Sequence, residues 1–354
     1  MTPIRWALLG AGWISRRAIA PAIHSAQGAV LEVVAAREMS RARALTPRRG
    51  ALDDYRAAIH DPDIDAVYIA LSNDGHLPWA VEALQAGKAV LCEKPLGLNA
   101  SEARAMRDVA DETGGLLVEA TWNLWHPRTA RAAALLASDS IGPVTAISGA
   151  FVFDGVDEGN YRLDPALGGG ALLDVGCYPL TGAAWATAAS TVDVGDVDVV
   201  LAPSGVDLTT RASLSLGGIP VQVRASFIET AFESLTIEGT HGVIEFTGSD
   251  AYTSWLQPSA LRVLDRDGER VEHFSPVDPY RLMIESVSAV VAGHGGWLPD
   301  PSGPSRWPTR WMQSQRKPVP GDVPRNRRGC PRLDRPGCRT HHAQSTGQTQ
   351  CPHP

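Results

Sequence analysis

The chain has 354 residues, of which 44% are apolar and 20% charged, with a formal net charge of −7. Mean hydropathy is −0.09, and no apolar run reaches the roughly 18 residues that a membrane-spanning helix needs. A soluble protein with length enough for two cores is therefore expected, with no membrane partner.

Only two of the five cysteines, Cys92 and Cys177, precede residue 300. That argues against a disulfide framework and for a cytoplasmic location. Charge is unevenly placed. Residues 301–354 hold ten Lys and Arg against two acids, a local +8 that leaves −15 on residues 1–300. So acidic a body is not that of a nucleic-acid-binding protein.

The chain opens on an apolar strand at 4–9 that runs into Gly10-Ala11-Gly12-Trp13-Ile14-Ser15. A strand ending in such a turn and entering a helix brings backbone N–H groups onto a pyrophosphate. Gly10 permits the tight turn, Gly12 admits the phosphates, and Ser15 stands where the fingerprint has its third glycine. Alone the pattern is weak, since glycine-rich turns after a first strand are common. Further strands are expected at 31–36, 66–71, 89–92 and 116–119, with helices at 13–26, 53–60, 76–87 and 99–114. Short apolar runs alternating with amphipathic stretches predict a parallel sheet covered on both faces.

After residue 120 the rhythm changes. Helices are expected at 126–138 and 171–188. Segments rich in β-branched residues follow at 191–201, 207–216, 220–228, 233–238 and 242–246, predicting a mostly antiparallel sheet. A last amphipathic helix is expected at 280–291. The fold class is thus α/β: a Rossmann domain over 1–121, then an α+β domain with a large open sheet over 122–300. Residues 301–354 contain ten prolines and only four residues from Val, Ile, Leu, Met and Phe. They read as a disordered basic tail, and so abrupt a change of composition is also what a shifted reading frame produces. Neither the tail cysteines and histidines nor the body match a metal-ligand spacing, so no metal is expected.

Two constellations carry chemistry. Glu93-Lys94-Pro95 follows directly on the strand at 89–92, at the carboxyl end where open parallel sheets bind ligands. A lysine there points into a cofactor cleft or lies in a solvated surface turn. Gly168-Gly169-Gly170-Ala171-Leu172-Leu173-Asp174-Val175-Gly176-Cys177-Tyr178 places Asp174 and Tyr178 four apart, on one face of a helix. That face grips a polar substrate, or Tyr178 is an ordinary packing residue.

Together, the opening glycine motif, Glu93-Lys94-Pro95 and the Gly168–Tyr178 segment resemble the glucose–fructose oxidoreductase/inositol dehydrogenase (Gfo/Idh/MocA) family over about residues 3–295. The resemblance implies hydride transfer between a nicotinamide and a sugar, cyclitol or diol, or a nucleotide-linked keto-deoxyhexose reduced at a ring ketone, and oligomerisation through the C-terminal sheet. It assigns Lys94, Asp174 and Tyr178 as catalytic. The tyrosine resembles the dihydrodiol dehydrogenase, xylose dehydrogenase and deoxysugar ketoreductase branches, and the proline after the lysine is often cis in the family. The chemistry is coherent on its own terms. Tyr178, with an ordinary pKa near 10, becomes a base at neutral pH only if a cation such as Lys94 lowers it. Asp174 then holds a substrate hydroxyl or orients the lysine.

After the second strand stand Arg37 and, one turn on, Arg41. Arginine suits a 2′-phosphate, so NADP(H) is favoured over NAD(H), with Glu38 keeping the latter open. Gly10, Gly12, Trp13, Ile14, Ser72, Asn73, His76 and Glu93 complete the candidate cofactor residues. His76 is equally a helix-start histidine. His126 and Arg128 are within reach of substrate, and Trp122, Trp125 and Tyr161 line a pocket or simply pack. The rival readings are a non-catalytic dinucleotide-binding regulator and an inactive homologue.

Overall fold

Alternation along β1 (Ile4–Leu9) builds two cores at once. Trp6 and Leu8 enter one layer and Ala7 and Leu9 the other, and all four are fully buried. This is the pattern of a strand covered on both faces. The computed structural model describes residues 2–189, 191–247 and 250–299, so the basic segment 301–354 lies outside the described residues.

Beside β1 lie β2 (Ala29–Ala35), β3 (Gly50–Leu52), β4 (Ala66–Ile69), β5 (Ala89–Cys92) and β6 (Leu117–Glu119). They form a six-stranded parallel sheet in the order β3-β2-β1-β4-β5-β6. Strand order reverses beside β1, and this switch point is where open α/β sheets bind dinucleotides. The short β3 and the one-turn helix at Met39–Arg43 are additions to the expected elements.

The helix expected at 13–26 opens instead with a π-helical turn, Ser15–Ile19, before α1 (Ala20–Ser25). Besides the turn Met39–Arg43 (α2), the sheet is accompanied by α3 (Tyr55–Ile59), α4 (His76–Gln85) and α5 (Ala100–Thr113). The start of α5 is fixed by Asn99, whose side chain accepts from Ser101 and Glu102 N–H, and Gly114 ends it in the left-handed region at φ +62°.

Past α6 (Pro127–Ala137) a second sheet begins with β7 (Val144–Asp154), which the sequence reading did not expect. Its small residues disguise it, and Gly149 shows why they are there. A Cβ at Gly149 would lie 2.7 Å from Pro179 Cβ and 2.8 Å from Tyr252 Oη. After α7 (Cys177–Thr187) come β8 (Val192–Leu201), β9 (Asp207–Leu216), β10 (Ile219–Ser226), β11 (Ile228–Gly239), β12 (Gly242–Thr247), β13 (Ser259–Asp265) and β14 (Gly268–Phe274). The order is β14-β13-β12-β11-β7-β10-β9-β8. All pairings are antiparallel except β7 with β10.

The hairpin β13–β14 was also not anticipated. Its open face is a ladder of charges, with Arg262 bridging Glu245 and Glu269 at 2.7 Å each, and it reads locally as a polar loop. The last helix, α8 (Pro279–Val291), returns to the first sheet, where Ser288 Oγ accepts from Trp6 Nε1 at 3.1 Å. A cut at residue 121 thus separates the two sheets in sequence, while α8 crosses back over it.

Candidate active site

At the carboxyl end of β1, Gly10 has φ +99°, and a Cβ there would lie 2.3 Å from the Ala70 carbonyl oxygen. The turn is closed on that side. At Gly12 nothing stands within 4 Å of a Cβ, so the other side is an open cradle of backbone. Trp13 is exposed beside it, Ile14 is half-buried against the core, and Ser15 is buried under the helix start. This arrangement fits a dinucleotide pyrophosphate.

Beyond β2, Arg41 Nε pairs with Glu38 Oε2 at 2.7 Å, and Ser40 Oγ donates to Glu38 Oε1 at 2.8 Å. Arg37 is exposed and has no ion pair or hydrogen-bond partner for its guanidinium among the described residues. Ser72 is half-buried at the start of a short turn, Asn73–Gly75. Asn73 is buried, and its Nδ2 donates to the Gly168 carbonyl at 2.8 Å. It ties the first sheet's loop to the triple-glycine loop.

His76 is fully buried, with Nδ1 2.9 Å from Pro95 O and Nε2 3.2 Å from Leu71 O. Burial lowers its pKa, so it is a neutral brace under the Glu93–Pro95 turn rather than an open ligand. Glu93 likewise faces inward. Its Oε1 accepts from Tyr68 Oη at 2.7 Å, and burial raises its pKa. Leu96 N–H donates to Glu119 at 2.8 Å, a half-buried acid at the end of β6 that is not among the residues the sequence singles out.

Lys94 is the centre of the constellation, and the Lys94–Pro95 peptide is cis. Its Nζ donates to Asp174 O at 2.8 Å, reaches Asp174 Oδ1 at 3.4 Å and stands 5.2 Å from the Tyr178 ring centroid. Asp174 lies on a π-helical turn, Leu172–Gly176, that leads into α7. In an i to i+5 register the donor for the Asp174 carbonyl falls on Pro179, which has no N–H. The lysine ammonium donates to that carbonyl, and so, at 3.5 Å, does the Cys177 thiol.

The other carboxylate oxygen of Asp174 accepts from Arg162 Nε at 2.6 Å. Burial opposes its charge, but Lys94 and Arg162 outweigh burial and hold its pKa below the ordinary value. Burial also works against the Lys94 charge, and the Asp174 carboxylate is among the neighbours that overcome it, so its pKa stands well above the ordinary value and the amine stays protonated.

Tyr178 differs from expectation. Burial raises its pKa and is the largest effect, while Lys94 pulls it down by less, so the phenol ends above its ordinary value. Its oxygen accepts from Trp122 Nε1 at 3.0 Å, and Trp122 is itself stacked on Tyr280 at 4.7 Å. The reading of Trp122 as pocket lining or packing missed this bond.

His126 and Arg128 are not available to a substrate. His126 caps α6 through Nδ1, and burial, with Arg128 beside it, lowers its pKa to about 3. Arg128, 2% exposed, donates to the carbonyls of Asp250 and Ala251 at 3.0 and 2.9 Å. Trp125 packs edge-on against Trp297, and Tyr161 lies under the Arg162 guanidinium at 4.9 Å. No group of metal-binding side chains occurs among the described residues.

A Rossmann switch point with an open glycine cradle, in one chain with a lysine, a carboxylate and a phenol brought together at the carboxyl end of β5, is the arrangement of a nicotinamide-dependent oxidoreductase. Residues 4–121 match the model of the oxidoreductase family with an NAD-binding Rossmann fold, and residues 129–245 match the GFO/IDH/MocA C-terminal domain. The chain belongs to the Gfo/Idh/MocA oxidoreductase family.

Among its relatives is D-xylose 1-dehydrogenase (NADP(+)) 2 of Haloferax volcanii, 33% identical, with 80% of this chain and 88% of the relative covered. The dTDP-3,4-didehydro-2,6-dideoxy-alpha-D-glucose 3-reductase of Actinomadura kijaniata is 34% identical, covering 60% and 67%. The solved 3-ketoreductase KijD10 of the same organism, in complex with NADP and TDP-benzene, superimposes with a TM-score of 0.74. It is 25% identical and covers 88% of this chain and 94% of that one. Dehydrogenases and ketoreductases among the relatives do not favour the regulator reading.

Proposed function

We propose that this oxidoreductase uses NADP(H) to interconvert the alcohol and carbonyl of a sugar, cyclitol or related diol, with Lys94, Asp174 and Tyr178 as its catalytic residues. The observation that carries the reading is the lysine ammonium bound to Asp174 and lying over the Tyr178 ring, at the carboxyl end of β5. When bound, the nicotinamide supplies or takes up hydride.

Carbonyl reduction also needs a proton on oxygen. Tyr178 holds one, because its raised pKa keeps the phenol neutral. Trp122 N–H remains on the phenol oxygen and stabilises the negative charge left when the proton departs. Lys94 adds a positive charge over the ring. Both Asp174 oxygens are engaged by Lys94 and Arg162, which supports orienting the lysine over gripping a substrate hydroxyl.

Gly10, Gly12, Trp13 and Ile14 are proposed to receive the pyrophosphate end of the cofactor. Ser72 and Asn73 flank its path, while His76 and Glu93 shape the turn that carries Lys94. The preference for NADP(H) is supported by Glu38, already engaged by Arg41 and Ser40, and by the uncommitted guanidinium of Arg37. The xylose dehydrogenase is an NADP(+) enzyme and KijD10 was solved with NADP, which agrees.

A homo-oligomer through the second sheet is proposed from β8. This ten-residue strand is the edge of that sheet and exposes Val192, Val194, Val197, Val199, Val200 and Leu201. The two sheets are taken as the dinucleotide-binding and substrate domains. A cytoplasmic location is proposed from the sequence; among the described residues both cysteines are free and no helix is long and apolar enough to cross a membrane.

Fluorescence titration with NADPH and NADH tests the cofactor assignment. Arg37→Ala is expected to weaken NADPH binding by about tenfold, the loss of one charge-assisted contact, and to leave NADH binding unchanged. An equal effect on both nucleotides contradicts it.

A further inference from the structure

We propose that Asp207, at the start of β9, is a positioning residue for the reaction: it caps from another strand the helical segment that carries Asp174 and Tyr178, and so sets both against Lys94. The proposal rests on the reading of those three residues as the catalytic group.

A helix start leaves backbone N–H groups without partners, and a side chain just upstream usually takes them. Here the upstream residues are Gly168, Gly169 and Gly170, which have no side chain to offer, and the segment Leu172–Gly176 has no local side-chain cap. Asp207 supplies one from 35 positions away. Its Oδ2 accepts from Leu172 N at 2.8 Å and from Thr210 Oγ1 at 2.7 Å.

Gly170 is built around this contact. It has φ +116°, and a Cβ there would lie 2.1 Å from Asp207 Oδ1. The third glycine of the run therefore makes room for the carboxylate as well as turning the chain. The rest of the loop is anchored by other means. Asn73 holds Gly168 O, and the N–H groups of Gly169 and Gly170 donate to Asp164 O and Arg162 O, each at 2.9 Å.

Asp207 is thus the last anchor before the helical segment. Two residues beyond Leu172, the carbonyl and carboxylate of Asp174 hold the Lys94 ammonium, and Tyr178 follows one turn later. Asp207 makes no hydrogen bond or ion pair to Lys94, Asp174 or Tyr178 among the described residues, so it acts through the helix.

The test compares Asp207→Ala with Asp207→Asn, whose amide oxygen can still accept from Leu172 N–H. Turnover is measured with NADP+ and whichever aldose of a panel that includes D-xylose is oxidised fastest, and backbone hydrogen exchange is followed over 168–180. Asp207→Ala is expected to lower kcat by about tenfold or more, as small misplacements of reacting groups do. KM for NADP+ should stay unchanged, and exchange over 168–180 should accelerate. Asp207→Asn should restore both kcat and protection. The exchange measurement decides the matter if no aldose is oxidised.

Unchanged exchange in the alanine variant overturns the proposal. So does a joint loss of kcat, nucleotide affinity and melting temperature in both variants, which marks a general structural role. Tyr178→Phe is run alongside. If it turns over like the parent, the reading of the catalytic group fails. If it is inactive while Asp207→Ala keeps full kcat, only the role of Asp207 fails.

Discussion

Tyr178 lies under two opposed influences, and their balance has a kinetic signature. Burial favours the neutral phenol, while Lys94, with the Trp122 N–H bond adding less, favours the phenolate, and burial wins. A neutral phenol is ready to give a proton and reluctant to take one. Carbonyl reduction is therefore predicted to hold its rate as pH rises through the ordinary tyrosine range near 10. Alcohol oxidation, which needs the deprotonated oxygen, is predicted to keep accelerating over the same interval. Rates in both directions from pH 6 to 10.5, chosen to bracket that value, check this. A plateau in oxidation at neutral pH contradicts it. Lys94 was legible as a candidate because it stands at a strand's carboxyl end. The net pKa shift of Tyr178 was not, because it depends on Phe151 and Tyr252 packing around the ring at 5.3 and 5.8 Å, neither of which is near it in sequence.

The turn after β1 separates two kinds of glycine, and substitution should separate them too. Gly10→Ala places a methyl group 2.3 Å from the Ala70 carbonyl at a positive φ. It is predicted to lower the melting temperature by several degrees, as strain of about 1–3 kcal/mol does. Gly12→Ala meets no atom within 4 Å. It is predicted to melt like the parent while binding NADPH more weakly, because the methyl group enters the phosphate cradle. Paired melting curves and nucleotide titrations decide the matter. Weak binding by Gly12→Ala together with a lowered melting temperature contradicts the cradle.

This turn, β1, β5, β9 and α5 were readable because local spacing specifies them. Strand β7 was not, since Gly149 and its small neighbours serve α7 and Tyr252 rather than strand propensity. The helix start at Leu172 hid its cap for a related reason. Asp207 lies far along the chain, and nothing around either residue announces the other. Glu119 and Arg162 belong to the same class, being charges whose partners are set by topology.

Across the whole molecule the two sheets divide the labour. The parallel sheet offers its switch point and Lys94, and the second sheet carries the helix with Asp174 and Tyr178 and leaves β8 uncovered. A long edge strand that is paired on one side only, with β9, and exposes this many valines is a hazard unless another chain covers it. Val197→Glu with Val199→Glu is predicted to convert an oligomer to monomer in sedimentation velocity, with nucleotide binding retained. A parent chain that already sediments as a monomer contradicts that surface.

The proposed NADP(H)-dependent chemistry rests on Lys94, Asp174 and Tyr178 acting together. It is tested most directly by following reduced nicotinamide spectrophotometrically, with aldoses and NADP+, in the parent chain and in Tyr178→Phe at equal nucleotide saturation. The parent is predicted to turn over and the variant to lose about 10²–10⁴-fold, the usual contribution of a positioned proton donor or acceptor. Equal turnover by the two proteins would contradict it.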